Sequence, residues 1–423
     1  MPSATDARAL HGAGRTVGER QGGPAARYGG RDTRPAQESE RLLDRLPAFM
    51  TSAVRRRART ELAAAAPRGR PVLYLLATAV LAALLMSGLA ALNYRLAPLT
   101  YSAAAQAGVA EALAGGSSRA VFDLNLDMRG LRRAHIARLA AAPEVVVLGA
   151  SHWQEAHAGL LPDKRFYNAH VHRDYHEDLL AVVEMLLRHD RLPKTLIMSI
   201  RDMTFAPVAH RTDTLWLTAL PDYRAMVARL GIAGHPWFET WPARRWFGLL
   251  SLPAMRDNAL RWLSADALPG PVRGQAHPTM DLLHADGSIS WSDAHRARFT
   301  PERTRREVRQ AVGARRDLAL EIDPAAVTAV DRLLGLLSER GVRLVLIHPP
   351  FNPDFYDRIR SSAYGAGLRE VEALSARLAK AHGATTVGSF DPAVAGCVAS
   401  MFIDAEHSGP ACLQRVLDQV PGL

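Results

Sequence analysis

The stretch Val145-Val-Val-Leu-Gly-Ala-Ser-His-Trp153 is the strongest structural signal in the sequence. Val145 to Leu148 are apolar and mostly β-branched, which is typical of a strand buried on both faces of a parallel sheet. Gly149 and Ala150 are small, and they permit the tight turn through which a strand can present a nucleophile. The stretch therefore predicts a buried strand that presents Ser151 at its carboxyl end.

Further apolar runs alternate with amphipathic segments along the second half of the chain. Glycines at 341 and 383 stand directly after two of the amphipathic segments, where glycine commonly ends a helix. Alternating strands and helices predict an α/β fold with a doubly wound parallel sheet, whose sites lie at the carboxyl ends of the strands. The predicted strands are 145–148, 165–171, 195–200, 342–348 and 385–387, and the predicted helices are 131–142, 177–189, 324–340 and 368–382.

The N-terminal part predicts a tail followed by one membrane helix. Residues 1–70 are rich in Arg, Gly, Ala and Pro without helical or strand periodicity, so we expect a disordered basic tail; Met50 is an alternative start. Residues 71–96 form the candidate span, because Val72 to Tyr94 carry no charge and at about 1.5 Å per residue can cross a bilayer core of about 30 Å. A cleaved signal peptide is the alternative, but its apolar core would be shorter and nearer the start.

Charge places the two ends of this helix on opposite sides of a bacterial inner membrane. Arginines cluster before the apolar stretch and only Arg95 follows closely, which predicts a cytoplasmic N-terminus and a periplasmic or extracellular C-terminal domain. The net charge of +10 comes largely from the tail and from residues 296–316. Such arginines indicate topology and contact with anionic lipid, so we expect no nucleic-acid partner.

The exported part divides into a connector with a leading helix at 97–142 and one domain at 143–423. Within that domain the alternating pattern breaks at about 204–301. We interpret this region as an insertion or cap, which either lines a sugar or acyl groove or packs as a small aromatic core. It holds every tryptophan of the chain except Trp153.

A second stretch, Phe402-Ile-Asp-Ala-Glu-His407, supplies the partners that a serine nucleophile needs. A serine hydroxyl becomes reactive when an imidazole removes its proton and a carboxylate fixes the tautomer of that imidazole. Asp404 and His407 have the spacing to face one side of a helix or turn. Ser151, Asp404 and His407 therefore suffice for covalent acyl transfer without a cofactor.

Gly149-Ala-Ser151 and Asp404-Ala-Glu-His407 together resemble the SGNH (GDSL-like) hydrolase superfamily in order and location, over roughly residues 143–417. The resemblance implies a flavodoxin-like sheet, with Ser151 as nucleophile, His407 as general base and Asp404 as the residue that orients His407. Membrane-anchored relatives act in O-acetylation of exported polysaccharides and in D-alanyl transfer to teichoic acids, with the same arrangement of one membrane helix and an outside catalytic domain.

The oxyanion-binding residues depart from this family. Active members usually add a glycine from the second block and an asparagine from the third to the amide of the serine. Here the second block, starting at Tyr167, contains no glycine, and Arg201 takes the place of the asparagine. The amide of Ser151 is the first candidate donor, and Asn168, Arg201 or a backbone amide would substitute for the missing residues; Arg201 could instead form an ion pair with Asp202 or Asp174.

Cys397 and Cys412 bracket the second stretch. In an oxidising compartment they could form a disulfide around it, and two buried free thiols are the alternative. Histidines crowd the region after Ser151 without a metal-ligand spacing, so no metal site is predicted. They are His152, His157, His170, His172 and His176.

Two functions compete on this sequence. The first is a serine acyltransferase or esterase that acts on an O-acyl group of an exported polysaccharide or other envelope glycan. Family analogy then implies a multispanning membrane protein that supplies the acyl group. The second is a non-catalytic envelope assembly or glycan-binding protein that retains the fold. The altered oxyanion residues favour the second function, and the intact Ser151, Asp404 and His407 favour the first.

Overall fold

The structure is a computed structural model that describes residues 57, 70–121, 126–207, 218–234, 246, 248–253, 255–256, 259 and 279–423. The predicted disordered tail lies outside the described residues, apart from positions 57 and 70. The same holds for part of the predicted insertion, including Trp216, Trp237, Trp241 and Trp262.

The described strands form two sheets. A five-stranded parallel sheet has the order β3-β2-β4-β7-β8, which is 2-1-3-4-5 when its strands are counted along the chain. A small antiparallel sheet has the order β1-β5-β6. The strands are β1 (Arg119–Val121), β2 (Val145–Leu148), β3 (Phe166–Asn168), β4 (Thr195–Ser199), β5 (Asp281–Leu283), β6 (Ile289–Ser290), β7 (Arg343–His348) and β8 (Thr385–Gly388).

Helices occupy most of the connections between strands. Polar side chains cap the N-termini of several of these helices, as when Asp323 accepts from the amide of Ala325. Gly341 and Gly383 adopt positive φ one residue beyond the C-caps Arg340 and His382 of two helices, and the sequence predicts glycine at such helix ends. The helices are α1 (Arg70–Leu96), α2 (Pro98–Tyr101), α3 (Ala103–Ala114), α4 (Met128–Ile136), α5 (His176–Arg188), α6 (Leu220–Leu230), α7 (Asp293–Ala297), α8 (Pro301–Arg315), α9 (Pro324–Glu339), α10 (Pro353–Ile359), α11 (Ala363–Ala381) and α12 (Pro410–Leu417).

The central strands are apolar because both faces of the parallel sheet are covered. Val146 and Leu148 of β2 belong to one core with residues of α5 and α9. Val145 and Val147 belong to a second core with residues of α12. Successive side chains of a strand point to opposite faces, so an unbroken apolar run is what this burial requires. The predicted α/β class with a parallel sheet is confirmed.

Several boundaries differ from the sequence prediction. The connector after the membrane helix is helical in α2 and α3, and the alanine-rich sequence of α3 favours helix even without a strong apolar stripe. The predicted helix at 131–142 is α4, which begins earlier because Asp127 caps it by accepting from the amide of Gly130.

The described parts of the predicted insertion contain α6 and the hairpin of β5 and β6. This hairpin pairs with β1, which precedes the central sheet in the chain. Trp291 directly follows β6 and is buried, whereas Trp246 is 44% exposed and its ring stacks on that of Tyr101. The two tryptophans described within the insertion therefore differ in their burial and in the aromatic rings that they contact.

One described helix, Val72–Leu96 within α1, is long and apolar enough to span a membrane. Its large apolar side chains, including Leu73, Leu76, Leu84 and Leu85, are exposed. A helix that is apolar around its whole circumference is normally covered by protein or lipid. This finding agrees with a single-pass membrane protein.

Gly149 controls how closely the loop after β2 approaches the end of β4. A Cβ on this residue would lie 2.4 Å from the Cβ of Ser199. We expect Gly149→Ala to lower the free energy of unfolding by about 1–3 kcal/mol, because one strand end must shift. The measurement is the unfolding midpoint of the full chain in detergent.

Gly313→Ala is the control, because nothing lies within 4 Å of a Cβ at that position of α8. Alanine stabilises a helix interior by up to about 1 kcal/mol relative to glycine, so this midpoint should stay unchanged or rise slightly. Equal midpoints for Gly149→Ala and the parent protein would contradict the close approach of the two strands.

Candidate active site

Ser151 lies at the carboxyl end of β2. It begins a short 3₁₀ turn, Ser151–Trp153, directly after the extended residue Ala150. The side chain of Ser151 is half-buried, and its amide N–H pairs with no acceptor among the described residues. In a parallel sheet of this strand order the topological switch point lies between β2 and β4, so Ser151 stands where open α/β sheets bind ligands.

Asp404 and His407 lie in a tight turn after β8. Phe402 pairs with Ser408 at the base of the turn. One carboxylate oxygen of Asp404 accepts from the amides of Glu406 and His407, each at 2.7 Å. A short acidic side chain that binds the backbone two and three residues on stabilises such a turn.

Asn352 holds this turn against the end of the central sheet. It lies in the segment that follows β7, where its side-chain amide donates to the carbonyl of Asp404 at 3.0 Å. Its backbone amide donates to the carbonyl of Ala405, also at 3.0 Å. The turn that carries Asp404 and His407 is thus fixed by the neighbouring strand end as well as by its own hydrogen bonds.

Ser151, His407 and Asp404 form a continuous chain of hydrogen bonds. Oγ of Ser151 lies 2.9 Å from Nε2 of His407, and Nδ1 of His407 lies 2.7 Å from Oδ2 of Asp404. Burial raises the pKa of Asp404, but its interactions with His407 and the two turn amides outweigh burial, so the pKa stays below its ordinary value. An ionised Asp404 accepts from Nδ1–H of His407, so the neutral imidazole carries no proton on Nε2, and Nε2 can accept from the serine hydroxyl.

Asn168, expected as an oxyanion donor, uses its side-chain amide in hydrogen bonds to the backbone. Its side-chain amide donates to the carbonyls of Trp153 and Ala156, both at 2.7 Å. Its side-chain oxygen accepts from the amide of His170 at 3.0 Å. Asn168 is fully buried, and both of its amide hydrogens are used, so it cannot donate to a substrate in this arrangement. It shapes the loop that follows Ser151 instead.

Arg201, the other expected donor, lies after β4 and pairs with acidic neighbours. Its Nε donates to Asp202 at 3.1 Å, and one terminal nitrogen lies 3.9 Å from Asp174. Burial lowers the pKa of Arg201, but these carboxylates outweigh burial and raise it above the ordinary value. The side chain is 12% exposed and its positive charge acts on His152 and Glu406, which flank the site.

Two aromatic rings surround His407. The imidazole of His152 stacks on it with ring centroids 5.4 Å apart and an interplanar angle of 19°. The indole of Trp291 meets it edge-on at 6.0 Å. Trp291 also stacks on His295 and Phe299, so the segment after β6 forms an aromatic wall beside His407. This wall belongs to the described part of the tryptophan-rich region.

Glu406 is an acidic residue beside the site that the sequence prediction missed. One carboxylate oxygen of Glu406 lies 3.4 Å from Nε2 of His152, and the other contacts Arg315 of α8. Burial raises the pKa of Glu406, but His152, Arg315 and Arg201 together hold it well below the ordinary value, so Glu406 is ionised. The sequence offered one signal, since Glu406 directly precedes His407.

A disulfide joins Cys397 and Cys412. Both residues are buried and pack with Phe402 at the base of the turn that carries Asp404 and His407. The bond therefore fixes the two chain segments that lead into and out of the turn.

The histidines after Ser151 lie in different surroundings. His170 is fully buried, and burial and the nearby Arg132 lower its pKa well below the ordinary value. His157 accepts from the amide of Gly159 and caps a short turn. No group of three or more His, Cys, Asp and Glu within the described ranges is arranged to hold a metal ion.

No family model matches the chain, and no curated protein matches it.

The disulfide is expected to stabilise the turn that carries Asp404 and His407. The bonded residues are 15 positions apart, and closing a loop of this length contributes about 3 kcal/mol in the chain-entropy model. We expect a reductant to lower the unfolding midpoint of the full chain by a corresponding amount. The double variant Cys397→Ala/Cys412→Ala is the control, since its midpoint should be low already and insensitive to reductant. Equal sensitivity of parent and variant would contradict this role.

Proposed function

We propose that the chain is a membrane-anchored SGNH-like serine acyltransferase or esterase that acts on an O-acyl group of an envelope glycan. The hydrogen-bonded chain of Ser151, His407 and Asp404 at the carboxyl edge of the sheet carries this proposal. The strand order 2-1-3-4-5 supports it, because this is the order of flavodoxin-like folds. Residues from different loops meet there as acyl-transfer chemistry requires.

In the proposed reaction the acyl group passes to Ser151 first. Nε2 of His407 takes the hydroxyl proton as Oγ of Ser151 attacks the ester carbonyl, and Asp404 stabilises the imidazolium that forms. Collapse of the tetrahedral intermediate breaks the ester C–O bond, and the imidazolium returns the proton to the departing alcohol. An incoming hydroxyl then loses its proton to His407 and attacks the acyl carbon, the bond from that carbon to Oγ of Ser151 breaks, and the imidazolium of His407 returns the proton to Oγ. The incoming hydroxyl is that of a sugar in transfer and that of water in hydrolysis.

The developing oxyanion has fewer donors than in a typical member of the superfamily. The amide of Ser151 is unpaired among the described residues, while the side chain of Asn168 is occupied. The cationic Arg201 is close enough to act electrostatically on the neighbours of His407, and it is the candidate for the second stabilising group. Loss of one donor costs roughly 10²- to 10³-fold in rate, so we expect slower turnover than a complete oxyanion hole would support.

The proposed location follows from the apolar helix and from the charge around it. The span Val72–Leu96 suits an anchor in a bacterial inner membrane, and the arginines before it favour a cytoplasmic N-terminus. The domain with Ser151 would then act in the periplasm or outside the cell, where the acyl donor must be delivered. A multispanning membrane protein is the proposed supplier.

A non-catalytic role in envelope assembly or glycan binding is the second candidate. The commitment of Asn168 to the loop after Ser151 and the pairing of Arg201 with Asp202 favour it. Each of these contacts removes a donor that catalysis would use. The two candidates differ in whether Ser151 reacts.

Reaction of Ser151 with a fluorophosphonate probe tests the enzyme proposal. We expect the full chain in detergent to be labelled at Ser151, because His407 is within hydrogen-bonding distance of its Oγ. Ser151→Ala should abolish labelling, and His407→Ala should slow it by roughly 10³-fold or more. Labelling is followed by intact-protein mass.

Ser117→Ala and His382→Ala are the matched controls. Ser117 is exposed, and His382 bonds to Asp331 at 2.8 Å. Both variants should be labelled at the parent rate. A parent protein that resists the probe as fully as Ser151→Ala would reject the enzyme proposal in favour of the non-catalytic role.

An acceptor experiment separates transfer from hydrolysis. With an activated acetyl ester as donor, we expect a short oligosaccharide to accelerate turnover and to carry the acetyl group afterwards. The physical reason is that a bound sugar hydroxyl competes with water for the acyl-serine. Mass spectrometry of the oligosaccharide and assay of free acetate measure the partition, with Ser151→Ala as control. Turnover independent of the oligosaccharide, with all acetyl recovered as free acid, would identify an esterase.

A further inference from the structure

His152 is a buried imidazole that the proposed reaction does not use. It directly follows Ser151, is 3% exposed, and stacks nearly parallel on His407. Burial lowers its pKa despite the nearby Glu406, so its ring is neutral. A neutral polar ring without full hydrogen bonding costs free energy when buried, and both ring nitrogens of His152 lack an ordinary hydrogen bond.

Glu406 and Arg315 hold the far side of His152. The distance of 3.4 Å from Nε2 of His152 to Glu406 is long for a charge-assisted hydrogen bond, so we treat it as an ion–dipole contact. Arg315 contacts the other oxygen of Glu406 and lies over the rings of Phe355 and Tyr364, at 5.8 and 5.9 Å. The three side chains thus form a continuous line from the face of His407 to helix α8.

We infer that His152 is a positioning residue that, together with Glu406 and Arg315, holds the ring of His407 in line with Ser151. The inference rests on the proposed function. In this role His152 and Glu406, a second histidine–carboxylate pair next to His407 and Asp404, fix the orientation of the general base.

The geometry gives the reason for this task. Hydrogen bonds at Nδ1 and Nε2 fix two points of the His407 ring, but the ring can still tilt about the line that joins them. The flat face of His152 against the ring opposes this tilt, and stacked rings favour such an offset arrangement. Active-site groups need this support from neighbouring side chains, because a misplacement of about 1 Å can cost roughly 10²-fold in rate.

The sequence positions of these residues connect the His152–Glu406 contact to the hydrogen bond between Ser151 and His407. Ser151 and His152 are neighbours after β2, and Glu406 and His407 are neighbours in the turn after β8. The contact of His152 with Glu406 therefore joins the same two segments as the hydrogen bond of Ser151 with His407. Displacement of either segment disturbs both links.

A neutral His152 is compatible with a base that becomes charged. If His152 were protonated, it would oppose formation of an imidazolium at His407, 5.4 Å away between ring centroids. The ionised groups that lie around the two rings are Asp404, Glu406, Arg201 and Arg315.

The test uses His152→Ala and His152→Phe in the full chain in detergent. His152→Ala removes the stacked ring, and we expect the maximal rate of fluorophosphonate labelling to fall roughly 10- to 100-fold, with little change in the probe concentration for half-maximal rate. His152→Phe retains a flat ring and should recover most of the rate. His348→Ala is the matched control, since His348 is equally buried but packs on Phe390, and its labelling rate should equal that of the parent protein.

Unfolding midpoints and labelling end points separate positioning from misfolding. A smaller labelled fraction with an unchanged rate constant in His152→Ala would mean that His152 only stabilises the fold, and would overturn the inference. An unchanged rate and an unchanged fraction would overturn it too. Glu406→Gln keeps a polar contact with His152 and is expected to lose less rate than Glu406→Ala, which leaves His152 and Arg315 without their partner.

A readout that does not need reactivity distinguishes this inference from the proposed function. The proton on Nδ1 of His407, which is shared with Asp404, should give a downfield proton NMR resonance in the parent protein. In His152→Ala this resonance should broaden or disappear. That result supports positioning even if the parent protein resists the probe, in which case only the proposed enzyme activity fails. A resonance that persists unchanged in a folded His152→Ala protein would refute positioning.

Discussion

The hydrogen bond of 2.9 Å between Ser151 and His407 joins residues 256 positions apart, and the architecture explains how they meet. In a parallel sheet all carboxyl strand ends lie at one edge, so the loops after β2 and β8 can converge. The close approach of Gly149 to Ser199 fixes the first loop, and Asn352 holds the second. The convergence therefore depends on backbone packing and on Asn352 as well as on the side chains of Ser151 and His407.

Much of this arrangement could be predicted from sequence, because it rests on local patterns. Apolar runs buried on both faces reveal parallel strands, and the Gly149-Ala-Ser151 turn and the Asp404–His407 spacing are visible without coordinates. The tasks of Asn168 and Glu406 could not be predicted, because their partners, Trp153 and Arg315, lie in segments whose approach only the folded chain determines. The helices α2 and α3 escaped prediction because they lack a clear apolar stripe.

Different ionised groups would serve proton transfer and anion stabilisation in the proposed reaction. Asp404 is held ionised by His407 and by turn amides, and it fixes the tautomer of His407. The cation of Arg201 is largely balanced by Asp202 and Asp174, so it contributes less to a developing oxyanion than an unpaired guanidinium would. For the proposed reaction, the groups needed for proton transfer are present and those that would stabilise an anion are few, so we expect modest turnover.

The polar groups around His407 are poorly suited to stabilising the fold. The side chains of Arg315 and Glu406 are 26% and 18% exposed, and an ion pair that solvent reaches contributes only about 0–1 kcal/mol, so their contact is weak evidence for a purely structural purpose. His152 adds a buried imidazole without an ordinary hydrogen bond, which costs further stability. Since His152 is adjacent to Ser151 and Glu406 is adjacent to His407, the proposed role of orienting His407 would account for the position of these two residues as well as for their cost.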